Sequence, residues 1–155
     1  MLPLQAAVGT GTQVSYAIHL LFAGLWAGGA AFMAWGVVPL AADSNIGVDP
    51  AESLAGTFVT VSRLGALVTL LTGGHMAATV YGVAGLTAST RGYLVIAMVV
   101  LWLVLAALSE VGVSRFRGEL DRRRVRTAAA HGRPFFVGAA GAAVVLLLLG
   151  GYLAA

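Results

Sequence analysis

Four long apolar runs constrain the fold of this chain more than any other feature of its sequence. They extend over about residues 14–42, 58–86, 92–113 and 134–155. Each is near or above the roughly 20 residues that an α-helix needs to cross a bilayer core of about 30 Å. Hydrophobic residues make up 59% of the sequence and charged residues only 10%, which is unlike a water-soluble domain. The sequence therefore predicts an integral membrane protein.

An all-α fold of four spanning helices fits this pattern better than a membrane β-barrel does. Barrel strands alternate polar and apolar residues over about ten positions, whereas the stretch AAVVLLLLGGYLAA near the end of the chain does not alternate. We expect a single domain over residues 1–155, a four-helix bundle with helices at about residues 14–42, 50–86, 90–117 and 134–154.

These boundaries depend on residues with strong positional preferences at helix ends. Asp49 has the position of an N-cap and Pro50 that of a first helical residue, so the second helix is expected to start there. Ser89 or Thr90 can cap the third helix. Pro134, which follows a glycine at position 132, indicates a stop and a restart before the fourth helix.

The distribution of arginine predicts the orientation of the bundle. All nine basic residues are arginine, and seven of them lie between the third and fourth apolar runs. Positively charged connections stay in the cytoplasm, so this connection is expected there and both termini outside. The same rule explains why the chain is basic, with an isoelectric point of about 10.0, so no nucleic-acid partner is expected. We expect a multi-pass protein of the plasma membrane, with the lipid bilayer as its surroundings.

The composition also limits the chemistry. The chain has no cysteine, which excludes disulfides, thiolate metal ligands and a cysteine nucleophile. The sequence shows no serine–histidine–aspartate set, carboxylate pair or phosphate-binding loop that would indicate a hydrolase or transferase. A redox reaction could still depend on a bound cofactor, so it stays open whether the protein is an enzyme.

Two histidines lie inside apolar runs, where ionisable side chains are costly and usually face the bundle interior. At about 1.5 Å per residue, His19 lies about 7–8 Å from the outer end of the first helix, and His75 about 10–15 Å from that of the second. A short connection makes these helices antiparallel neighbours. The similar depths predict that the two imidazoles form a pair near the outer face.

A b-type haem held between these histidines is the ligand that we favour. Histidine is a common axial ligand of haem, and helical bundles build such sites from facing side chains. Trp26 lies on the same helical face as His19, and small residues around His75 leave room for a flat group. Tyr16 and Arg91 are placed to meet propionates directed towards the outer surface.

Two other interpretations of the histidines stay open. Each imidazole could instead hydrogen-bond a hydroxyl group or a backbone carbonyl and so join two helices. Copper is the other possibility, because Met33, Met76 and Met98 offer soft ligands. Scattered methionines are, however, also ordinary core residues.

Two further features are expected at helix contacts. Arg63 and Glu110 should lie near the cytoplasmic ends of the second and third helices, where they can form a structural ion pair. A proton or anion route through these two residues is the alternative. Gly24, Gly28 and Gly36 are expected to let the first helix approach its neighbours closely.

Three stretches resemble a known family. HLLFAGLWAGGAAF, VSRLGALVTLLTGG and TRGYLVIAMVVLWLVLAAL, one in each of the first three helices, resemble the copper-resistance D-type membrane domain. They are also distantly similar to the haem-containing four-helix membrane protoporphyrinogen oxidases. The resemblance implies that His19 and Trp26 occupy the first-helix His and Trp places of the family, and Arg63 its second-helix basic place.

The chain departs from this family at two positions. The family often has a lysine in the third helix and an acidic residue in the fourth. Here the third helix has Ile96 and Met98, and the fourth is wholly apolar. These departures weaken the case for copper transport and for protoporphyrinogen oxidation alike, whereas His75 strengthens the case for a site with two histidines.

The sequence thus predicts a membrane haem protein with His19 and His75 as ligands, serving electron transfer, haem handling or redox sensing. The alternatives are a copper transport or resistance component and a cofactor-free structural subunit of a membrane complex. A redox partner or a larger membrane complex is the expected protein partner.

The predicted orientation can be tested with a reporter that is active only outside the cytoplasm. Fused after Ala155, it is expected to be active. Inserted between Arg122 and Arg123, it is expected to be inactive, because the positive-inside rule keeps this connection in the cytoplasm. The opposite pattern of activities would reverse the topology.

Overall fold

The computed structural model describes residues 9–154, in which four long apolar helical spans pack as an antiparallel bundle. The first span consists of α1 (Thr10–Phe32), a π-helical segment (Met33–Val37) and α2 (Val38–Ala42). The other elements are α3 (Val48–Val80), the short α4 (Gly82–Ala88), α5 (Thr90–Leu120) and α6 (Val125–Ala154). Residues 9–154 contain no strand, and the predicted all-α membrane bundle is confirmed. Residues 1–8 and 155 of the predicted domain lie outside the described part.

The two ends of the bundle differ in charge. Connections of residues 43–47 and 121–124 join the first span to α3 and α5 to α6, at the end that carries most of the arginines. We call it the arginine-rich end. The opposite end, where α1 begins, α6 ends and α4 lies, is the terminal end.

The fourth helix begins earlier than predicted. α6 starts at Val125 and continues through Pro134, where a stop and a restart were expected. Ala128 and Ala129 are buried, and packing against α5 holds this turn in the helix. Proline removes the hydrogen bond to the carbonyl four residues earlier, but Ala130 is exposed, so solvent can satisfy that carbonyl.

The second and third helices also differ from their predicted limits. α3 begins at Val48 after an N-cap at Gly47, so the N-cap predicted at residue 49 is wrong. It ends near residue 80 instead of 86, because Gly82 has a φ of 61°, which glycine adopts without a steric penalty. The cap at Ser89 is confirmed: its hydroxyl oxygen accepts a hydrogen bond of 3.0 Å from the Gly92 amide. α5 ends at Leu120, three residues later than expected.

Both connections at the arginine-rich end close with the same hydrogen-bond pattern. Ser44 and Arg123 have φ angles of 58° and 57°. In each case the next amide reaches back to the carbonyl five residues earlier, as Arg124 does to Glu119 at 2.9 Å. This is the Schellman motif, with a residue other than glycine in the left-handed position. The motif reverses the chain within a few residues and keeps the paired spans close.

Most of the buried core lies in the arginine-rich half of the bundle. Phe136 packs edge to face against Phe58 and Phe116, with ring centroids 5.8 and 5.9 Å apart, an arrangement that aromatic pairs prefer. A Cβ atom added to Gly132 would lie 3.0 Å from the Phe136 ring and 3.1 Å from that of Phe116. α5 and α6 therefore approach closely, as small residues permit in membrane helix pairs.

The glycines predicted to allow close approach in the first span do not do so. A Cβ added to Gly24 or Gly28 would meet nothing within 4 Å, and one added to Gly36 would first meet a side chain of its own span. The close contact with α3 is instead at Gly65, whose added Cβ would lie 2.9 Å from the Cβ of Trp26. The prediction was wrong because small size alone does not show which helix face meets a neighbour.

Gly65→Ala is expected to destabilise the bundle by about 1–3 kcal/mol, because the methyl group would overpack the contact with Trp26 near its backbone. Gly56→Ala in the same helix is the matched control, since a Cβ there meets nothing within 4 Å. Thermal melting in detergent measures both. Equal melting temperatures for the two variants would contradict the proposed contact.

Candidate functional site

A cavity of about 350 Å³ lies between the four spans in the terminal half of the bundle. Its volume is in the range of roughly 300–1,000 Å³ that is typical of small-molecule sites. The described residues that line it include no Asp, Glu, Lys or Arg, and the wall is almost wholly apolar. Small residues form much of it: Ala23, Ala27, Gly73, Gly74, Ala77 and Gly150.

His19 is the imidazole in this wall, and its orientation is set by a threonine of α3. Its Nδ1 atom lies 2.9 Å from the Thr72 hydroxyl oxygen. The Thr72 hydroxyl itself donates to the Val68 carbonyl at 2.6 Å. With the Thr72 hydroxyl hydrogen on the Val68 carbonyl, the Thr72 oxygen can accept from His19, an arrangement that would put the imidazole proton on Nδ1. Nε2 would then be the ring nitrogen with a free lone pair.

The backbone of α3 leaves space for the His19 ring at Gly73. A Cβ atom added to Gly73 would lie 3.0 Å from Cε1 and 3.5 Å from Nδ1 of His19. The ring thus lies directly against the helix at a position without a side chain. A Cβ added to the adjacent Gly74 would meet nothing within 4 Å. The two glycines have different roles although they are neighbours in sequence.

Two tryptophans close the cavity towards the arginine-rich half. Trp26 and Trp102 pack edge to face with ring centroids 6.3 Å apart, and both line the cavity. Trp102 donates through Nε1 to the Thr69 hydroxyl oxygen at 3.1 Å, and that hydroxyl donates to the Gly65 carbonyl at 2.7 Å. Trp26 is only 2% exposed. The tryptophan pair thus joins the first span, α3 and α5 at one depth.

The structure does not bring His75 to His19. His75 has an exposed side chain and is not in the cavity wall. At about 100° per residue, it lies nearly opposite to cavity-lining residues of α3 such as Gly73 and Ala77. Similar depth in the membrane was not sufficient to bring the two imidazoles together. The helix rotates by about 200° over the two residues from Gly73, which contacts His19, to His75.

The other predicted site residues divide between the cavity and the surface. Tyr16 and Trp26 line the cavity, as do Met76 and Met98. Arg91 is exposed in the first turn of α5 and is not part of the wall. Met33 is 1% exposed and packs in the core of the arginine-rich half, away from His19.

Arg63 and Glu110 form a two-point ion pair between α3 and α5. Arg63 donates through Nε to Oε1 at 2.8 Å and through Nη2 to Oε2 at 3.0 Å. Their side chains are 67% and 47% exposed, so the pair lies on the outside of the bundle and is not buried between the helices. This paired geometry satisfies both charges at the edge of the apolar region, where an unpaired charge would be costly.

Three residues that build the site were not identified from the sequence. Thr72, Thr69 and Trp102 each act through a partner on another helix. Gly73 is one of the small residues around His75 that were expected to leave room, and the ring that it admits is that of His19. The threonines had one local signal, since a hydroxyl in a membrane helix must bond either its own backbone or a neighbour. That signal does not identify the neighbour.

Comparisons with protein-family models, curated proteins and solved structures give no match for this chain. Within the described residues, no group of three or more His, Asp or Glu side chains is arranged to hold a metal ion. The function must therefore be inferred from the cavity and from the single imidazole that its wall contains.

Removing one partner of the ion pair is expected to lower the melting temperature of the protein in detergent, because the other charge would be left unpaired. Arg63→Ala and Glu110→Ala should each do so, and the double variant should lose less than the sum of the two. The exchange of both residues, Arg63→Glu with Glu110→Arg, should recover part of the loss. Additive effects would contradict a direct coupling.

Proposed function

We propose that this chain is a plasma-membrane protein that binds b-type haem in the cavity of its terminal half, with His19 as an axial ligand. The observation that carries the proposal is the hydrogen bond between His19 and Thr72 at the wall of an apolar cavity. With Thr72 accepting from Nδ1, the Nε2 atom would be the unprotonated nitrogen available to a ligand. A histidine ligand commonly has this second hydrogen bond, which orients the ring and raises its basicity.

The residues of the wall suit a flat apolar group. Ala23, Ala27 and Ala77 occupy little volume, and the two tryptophans supply broad apolar faces. Tyr16, on the same wall and closer to the terminal end, offers a phenol that can donate to a carboxylate. Arg91, exposed beyond the wall, could meet a carboxylate that extends out of the cavity.

Because His75 is outside the cavity, it would not hold a haem together with His19, and a second protein ligand would come from another residue of the wall. Met76 and Met98 line the same wall as His19, and methionine with histidine is a known axial pair that raises the reduction potential. Bound haem would supply one-electron redox chemistry, which fits electron transfer, haem handling or redox sensing. A redox partner or a larger membrane complex would exchange the electron or the haem.

Copper binding is the second candidate, and a specific observation favours it. Met76 and Met98 both line the cavity with His19, and thioether and imidazole groups together suit monovalent copper. The resemblance to the copper-resistance D-type domain is consistent with this candidate. A protein that binds neither haem nor copper would leave the third possibility, a structural subunit of a membrane complex.

Absorption spectra of the detergent-purified protein, oxidised and reduced, test the haem proposal. The unmodified chain, expressed with added haem, is expected to show a haem band with sharp reduced features. His19→Ala should lose the band, and His75→Ala should keep it, because only His19 lies in the cavity. A colourless unmodified protein would reject haem, and loss of the band in both variants would restore the site with two histidines.

A glycine pair provides a matched control. Gly73→Ala should weaken haem binding because its methyl group would displace the His19 ring, and Gly74→Ala should not, since its Cβ has space. For copper, metal analysis of the colourless protein should find the ion, and Met76→Leu with Met98→Leu should remove it. Copper retained in that double variant would exclude the methionines as ligands.

A further inference from the structure

A polar groove lies on the outside of the bundle, between α3 and α5 at the arginine-rich end. Eight residues line it: Val59, Arg63, Glu110, Val113, Ser114, Arg117, Gly118 and Asp121. Two of them are arginines and two are acidic, so the groove presents both signs of charge. The cavity that contains His19 is in the other half of the bundle and shares no lining residue with this groove.

The groove begins where the apolar part of the membrane span ends. The third apolar run ends at Val113, and the residues of α5 that line the groove extend from Glu110, near that end, to Asp121, just beyond the last helical residue. At about 1.5 Å per residue, the groove extends for about 16 Å along α5. The headgroup layer adds about 5–8 Å on each side of the bilayer core. The groove therefore passes through the depth at which phospholipid headgroups lie.

The charged groups of the groove are not all occupied. Arg117 donates a single side-chain hydrogen bond, through Nη2 to Glu52 at 3.2 Å, which leaves further N–H groups of its guanidinium. The Asp121 carboxylate has no hydrogen bond or ion pair within residues 9–154. Arg63 and Glu110 are bonded to each other. A free donor group and a free carboxylate thus lie along the same groove.

Gly118 leaves one side of the groove without a side chain. It is exposed in the last turns of α5, and a Cβ atom added there would meet nothing within 4 Å. Glycine is a poor residue for a helix interior, and here it forms no close helix contact that would explain it.

We propose that this groove binds the headgroup of a zwitterionic phospholipid that carries a primary ammonium, of the phosphatidylethanolamine type. The Arg117 guanidinium donates to the phosphate, a pairing that guanidinium geometry favours. The Asp121 carboxylate accepts from the ammonium. A glycerol headgroup would lack the cation for Asp121, a serine headgroup would add a carboxylate that repels Asp121, and a choline headgroup has no N–H group to donate. The occupant is a lipid because the groove lies at headgroup depth in a chain whose spans are in the bilayer.

Native mass spectrometry of the full chain tests this proposal. The protein is reconstituted in vesicles with equal parts of phosphatidylethanolamine, phosphatidylglycerol and phosphatidylcholine of matched acyl chains, and is then extracted in mild detergent. We expect retained phosphatidylethanolamine to be enriched several-fold over the other two lipids. No enrichment, or enrichment of phosphatidylglycerol, would overturn the proposal.

Variants assign the enrichment to the groove. Asp121→Asn should remove the preference for phosphatidylethanolamine, Arg117→Gln should reduce retention of all three lipids, and Gly118→Leu should block the groove. Asp49→Asn and Arg115→Gln are matched controls, because these residues are exposed and do not line the groove. Enrichment that persists in Asp121→Asn and Gly118→Leu would overturn the proposal.

Two further measurements complete the test. One shows whether a variant has lost lipid because it is misfolded, and the other shows whether the groove binds a soluble compound instead of a lipid. Circular dichroism and thermal melting identify any variant that fails to fold, and the remaining variants then decide the result. Excess soluble glycerophosphoethanolamine should not displace the retained lipid, because the acyl chains contribute to binding from the bilayer. Full displacement would indicate a site for a soluble headgroup compound and would reject a lipid as the occupant.

Discussion

The close contact between α5 and α6 around Phe116, Phe136 and Gly132 is the interaction on which the rest of the structure depends. Apolar side chains gain little by leaving lipid for a protein interior, so membrane helices associate through tight packing. In this chain the tight packing is concentrated in the arginine-rich half, where alanines and glycines surround aromatic rings. With the spans held together there, the terminal half needs less contact between helices, and a cavity can form in it.

The cavity obtains its chemistry from one hydrogen-bond chain. Thr72 lies within hydrogen-bond distance of the Val68 carbonyl on its own helix and of Nδ1 of His19, and this chain of contacts orients the imidazole ring. Gly73 provides the space in which that ring lies. The imidazole of His19 is thereby held in the wall of an apolar cavity that no charged residue lines. Both haem and copper are compatible with that environment.

Apart from Arg91, the charged side chains of residues 9–154 lie in the arginine-rich half, where they have two roles. Arginines near the short connections set the expected orientation, and a few of them pair with carboxylates along α3 and α5. Arg117 and Asp121, which line the groove, keep a free donor and a free acceptor, and we propose that they meet a phospholipid headgroup. The two proposals together place an apolar ligand site in the terminal half and polar contacts with lipid at the arginine-rich end.

The sequence by itself determined the membrane class, the four spans, the charged end and the cap at Ser89, because these depend on composition, length and local hydrogen bonding. It also indicated His19 and the pair of Arg63 with Glu110. Only the tertiary structure decided that His75 faces away, that Gly65 rather than Gly24 or Gly28 makes the close contact between the first span and α3, and that α6 continues through Pro134. The physical reason is that helix rotation and packing are set by neighbouring helices, and residue spacing along one helix does not contain that information.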